Sequence, residues 1–123
     1  MIPNKYFHSP YDFHLISLVG WTRDDAQEYI RYHYDDSYNF PKEAEGTTYQ
    51  FKVGQEFHIV VHIADFKEDN ESIALLAHES LHVAMMALQR LGIKYVPTDY
   101  DEQLAYLVQW VMAQLLPVKP EST

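Results

Sequence analysis

The chain contains no cysteine. Disulfides, Cys-ligated zinc and a thiol nucleophile are excluded together, so any metal must sit on histidine and carboxylate ligands. Basic residues are scarce as well: 9 Lys and Arg stand against 18 Asp and Glu, giving a net charge of −9. The few cations are scattered, no face can track a phosphate backbone, and no nucleic-acid partner is expected. No stretch approaches the roughly 18 consecutive apolar residues of a membrane span. Met1-Ile2-Pro3-Asn4-Lys5-Tyr6 lacks a charged segment followed by an apolar run, so the expectation is a cytoplasmic protein with no membrane partner. No internal repeat or linker divides the 123 residues, which read as one domain, 1–123.

Aromatic residues are plentiful, with ten tyrosines and six phenylalanines, and the hydrophobic share of 47% belongs to a folded globule. Phe13 to Val19 is a short apolar run closed by Gly20, which predicts a buried strand. Thr22 and Asp25 stand at capping-box spacing, and a helix is expected from near Arg23 to near Asp36. Thr47 to Val53 and Glu56 to Ala64 are rich in β-branched and aromatic residues, and Gly54-Gln55 between them suits a hairpin. In the second of these strands Phe57, Ile59, Val61 and Ile63 share one face, His58, Val60 and His62 the other.

A long helix is expected over residues 70 to 91, with Asp69 or Asn70 as its cap and Gly92 just past its end. Its apolar stripe is read as Ile73, Leu76, Ala77, Leu81, Ala84, Leu88 and Leu91. Beyond Pro97, Thr98 or Asp99 caps a last helix whose stripe runs from Leu104 to Leu115 and stops at Pro117. The predicted order is β-α-β-β-α-α, an α+β fold with a small, mostly antiparallel sheet packed with helices.

The chemistry is concentrated in His78-Glu79-Ser80-Leu81-His82. On a helix the two histidines lie about 40° apart on one face, so both imidazoles can reach a single ion. Zn²⁺ is the expected cofactor, because such a site lowers the pKa of a bound water toward about 7. A catalytic zinc site needs a third protein ligand, and Glu102, in the first turn of the last helix, is the leading candidate, with Asp101, Asp99, His58 and His62 as substitutes. Glu79 is offset about 100° from His78, beside the ion rather than on it, where it can act as general base and then acid. Asp101 is a candidate acceptor for an imidazole N–H, and Tyr100, Tyr106 and His62 are candidates to stabilise an oxyanion.

These residues resemble a zincin metallopeptidase, and most of all the minimal gluzincin-type domains found as small proteins in bacteria and their phages. The likeness covers roughly residues 56 to 112 and rests on His78-Glu79-Ser80-Leu81-His82 and Asp101-Glu102-Gln103-Leu104-Ala105-Tyr106. It implies zinc on His78, His82 and Glu102, Glu79 as the residue that activates water, and a peptide or protein substrate. It also implies an edge strand that pairs with extended substrate backbone, falling here on Glu56 to Ala64. Met85 and Leu88 stand where a metzincin has its glycine and third histidine, and Tyr106 stands where many gluzincins have an aspartate. A competing expectation is a non-catalytic zincin-like module that binds a protein partner. A di-iron site ranks last, since Glu79-x-x-His82 has no second copy.

Overall fold

The computed structural model describes residues 5–8, 12–42, 45–92 and 101–116, with the side chains of 12–42, 45–92 and 102–116. The fold is α+β: a four-stranded mixed sheet and three helices. Strand β1 (Lys5–His8) pairs antiparallel with β2 (His14–Val19), and helix α1 (Arg23–His33) follows. Strands β3 (Gly46–Val53) and β4 (Glu56–Ile63) form an antiparallel hairpin, and helices α2 (Asn70–Arg90) and α3 (Asp101–Leu115) complete the chain. The sheet order is β1-β2-β4-β3, with β2 and β4 parallel.

The local signals act as chemistry requires. The Thr22 hydroxyl accepts from Asp25 N at 3.1 Å and starts α1. Its end comes at His33 rather than near Asp36, because the Asp35 carboxylate accepts from Ser37 N and Ser37 Oγ and folds the chain into a turn. The Asp69 carboxylate accepts from Ser72 N at 2.8 Å to begin α2. At its other end Gly92 takes φ +75, which a side chain would oppose, and donates to Gln89 O. Gly54 at φ +61 turns the two-residue hairpin.

Both faces of the sheet are covered. On one, Phe57, Ile59, Val61 and Ile63 pack with Leu76, Val83, Ala84, Ala87 and Leu88 of α2 and Leu107, Val111 and Leu115 of α3. On the other, Ile16, Leu18 and Val60 pack with Trp21, Ala26, Ile30 and Phe40. Helix α2 lies over β3 and β4, whereas α3 lies against α2 and over β1 and β2. Among the described residues no helix is long and apolar enough to cross a membrane.

Three expectations change. Strand β1 was not expected, since four residues between Pro3 and Pro10 carry too short a pattern to announce a strand. The strand expected at the sheet edge, Glu56 to Ala64, is interior: β4 sits between β2 and β3, and β3 takes the edge. Burial on both sides explains its near-continuous apolar run. Finally, the buried face of α2 is rotated from the stripe read in the sequence. Ser72, Leu76, Glu79, Ser80, Val83, Ala84, Ala87 and Leu88 are buried, while Ile73, Leu81 and Leu91 are 43%, 42% and 44% exposed. Contact with both the sheet and α3 draws in an arc of the helix centred away from Leu81.

Candidate metal centre

That rotation decides the surroundings of each residue in the motif. His78 and His82 lie on the exposed flank of α2, one turn apart, with their Nε2 atoms 3.2 Å from each other. That is a hydrogen-bond distance between the two rings, and it is also close to the about 3.3–3.4 Å that separates two nitrogens bound to one tetrahedral zinc at about 2.0–2.1 Å. The rings are steeply inclined, with an interplanar angle of 80° and centroids 4.7 Å apart.

Glu79, about 100° round the helix from His78, lies on the buried side of α2. It is only 5% exposed and reaches under the edge strand β3, where the Thr48 hydroxyl donates to its Oε1 at 2.5 Å. Its Oε2 lies against Gly46, so close that a Cβ built there would stand 3.0 Å from the oxygen and 3.2 Å from Cδ. Gly46 and Thr48 share the face of β3 that looks toward α2, and they pair with Ile63 and Val61 of the inner core. Ser80 is buried and satisfied within its own helix, donating to Leu76 O at 2.7 Å.

The remaining candidates are dispersed. Glu102 is exposed in the first turn of α3. Helix α3 packs against the buried arc of α2, and the two imidazoles look out from the exposed arc. Among the described residues no three His, Asp or Glu side chains form a group that could hold a metal ion. Asp101 opens α3 with its side chain outside the described set, and Tyr100, Asp99 and Thr98 lie outside the described residues. Tyr106 is 65% exposed on α3. His62 faces the α1 layer, across the sheet from α2, with Nε2–H donating to Trp21 O at 2.8 Å and its ring packed on Phe40. Burial there holds the His62 imidazolium down, favouring the neutral ring.

His58 is on that same face, stacked between Phe51 and His14. Glu56 approaches both histidines, 3.4 Å from His58 Nε2 and 3.7 Å from His14 Nε2. The His14 and His58 rings are stacked with only 19° between their planes, so their nitrogens run side by side instead of converging. Desolvation lowers the pKa of His58 despite the adjacent carboxylate.

Sequence reasoning did not single out Thr48 or Gly46. Strand alternation places them on one face, but only the pairing of β3 beside α2 brings that face to Glu79. Comparison with protein-family models, with curated proteins and with solved structures gives no match.

Proposed function

We propose that the chain is a zinc-dependent hydrolase, a metallopeptidase in type, with His78 and His82 as metal ligands and Glu79 as general base. The observation that carries this reading is the 3.2 Å separation of the two Nε2 atoms on the exposed flank of α2, with a carboxylate on the adjacent residue. Bound zinc would supply Lewis acidity, polarising a carbonyl and acidifying a water. The set requires a third protein ligand, for which the sequence names Glu102, although among the described residues Glu102 forms no metal-holding group with the two imidazoles in the structure.

Glu79 has one oxygen engaged by Thr48, so Oε2 is the atom left to take a proton from water and return it to the leaving amine. Substrate backbone would align along β3, which pairs with β4 on one side and with no further described strand on the other. Strand addition there supplies main-chain hydrogen bonds without requiring a deep pocket.

The second reading, a non-catalytic module, draws support from the burial of Glu79, since a carboxylate tied to a neighbouring strand also serves as a structural anchor. One experiment separates the two. Wild type, Glu79→Gln, His78→Ala and Glu102→Ala are purified without added metal, assayed for zinc by elemental mass spectrometry and incubated with a fluorogenic peptide pool. The hydrolase reading expects about one zinc per chain, lost in His78→Ala, weakened in Glu102→Ala and kept in Glu79→Gln, with cleavage abolished in all three. Zinc retained with no cleavage by wild type would favour the module.

A further inference from the structure

Glu79 is the nearest carboxylate in sequence to the imidazole pair, but its helix alone does not aim it. A glutamate has three rotatable bonds, and a general base with an unfixed carboxylate loses much of the advantage of proximity. Two features of β3 remove that freedom. The Thr48 hydroxyl donates to Oε1 at 2.5 Å, and Gly46 presents bare backbone to Oε2 where any side chain would intrude to 3.0 Å. Thr48 is half-buried and Glu79 almost fully so, which leaves the carboxylate few alternative partners.

We propose that Thr48 is a positioning residue, and that Gly46 completes its action: the hydroxyl holds one carboxylate oxygen of Glu79 while the missing side chain keeps the other approachable by water. The inference rests on the hydrolase reading and deepens it. It also gives β3 a second task. The strand proposed to bind substrate backbone would be the strand that aims the base, so pulling β3 outward would disturb Glu79 in the same movement. Thr48 exchanges no proton with substrate in this scheme. Its hydroxyl hydrogen stays on Oγ1 and points at Oε1, which prevents that oxygen from competing as the acceptor.

The test uses the full chain loaded with zinc, a fluorogenic peptide pool, and the variants Thr48→Val, Thr48→Ser, Gly46→Ala and Glu79→Gln. Valine keeps the shape of threonine and removes the hydroxyl, whereas serine keeps the hydroxyl. The expected result is a fall in kcat of about 10- to 100-fold for Thr48→Val and for Gly46→Ala, with KM within about twofold of wild type and serine restoring the rate. A readout independent of turnover is the Glu79 13Cδ resonance, which should move in Thr48→Val and Gly46→Ala and stay in place in Thr48→Ser.

If wild type cleaves, Glu79→Gln does not, and Thr48→Val matches wild type in kcat, the positioning role is overturned and the hydrolase reading stands. If Thr48→Val and Thr48→Ser lose activity equally, the role of the hydroxyl is likewise refuted. Absence of cleavage by wild type overturns both proposals, leaving the hydrogen bond as a structural tie.

Discussion

Substituting Gly46 by alanine tests the contact between β3 and α2 without touching the motif. Gly46 does not sit at positive φ, so in an indifferent environment alanine would stabilise the strand by about 0.4–1 kcal/mol through the unfolded chain. Its environment is not indifferent: the new methyl would stand 3.0 Å from Glu79 Oε2 and 3.2 Å from both Cδ and Cγ. A free glutamate would swing aside, but this one is buried and held by Thr48, so relief means moving helix or strand. Overpacking of that kind costs about 1–3 kcal/mol, which outweighs the gain and leaves the variant about 1–2 kcal/mol less stable. In a Glu79→Ala background the obstruction is gone, and the same substitution should become neutral or stabilising. Urea denaturation of the four proteins closes a double-mutant cycle with an expected coupling of about 1.5–2.5 kcal/mol. A coupling under about 0.5 kcal/mol would refute the contact and with it the account of how Glu79 is held.

The rotated burial of α2 predicts that Leu76→Ala, in the closed core, costs about 2–4 kcal/mol, while Leu81→Ala, 42% exposed, costs under about 1 kcal/mol. Denaturant midpoints of the two variants check this, and equal losses would restore the stripe read from the sequence. His62 and His58 both have depressed folded-state pKa values, chiefly from desolvation. The unfolded chain therefore binds their protons first, so stability is full above about pH 6.5 and declines as pH falls toward the lower folded values. A pH series of urea midpoints should show this decline. Replacing His62 with Gln, which can still donate to Trp21 O, should flatten it; an unchanged slope would count against His62.

Much of the fold was open to reading from the chain because the signals are local. The Thr22 and Asp69 caps, the Gly54 turn and the Gly92 stop each depend on a few adjacent residues, and each acts as its chemistry requires. The pair His78 and His82 belongs with them, since spacing of four on a helix fixes their proximity before any packing is known.

The sequence by itself thus determined the α+β class, the hairpin, the two capped helices and the meeting of two imidazoles. Tertiary structure decided what long-range pairing alone can decide. It put β4 inside the sheet and β3 at its edge, and so brought Thr48 and Gly46 to Glu79. It turned α2 so that Glu79 is buried and Leu81 exposed, because two neighbours, sheet and α3, compete for the apolar surface of one helix. It also sent His58 and His62 to the face opposite α2. The alternation of β4 separates its two faces, but which face meets which helix depends on topology, and topology is set by burial summed over the whole chain.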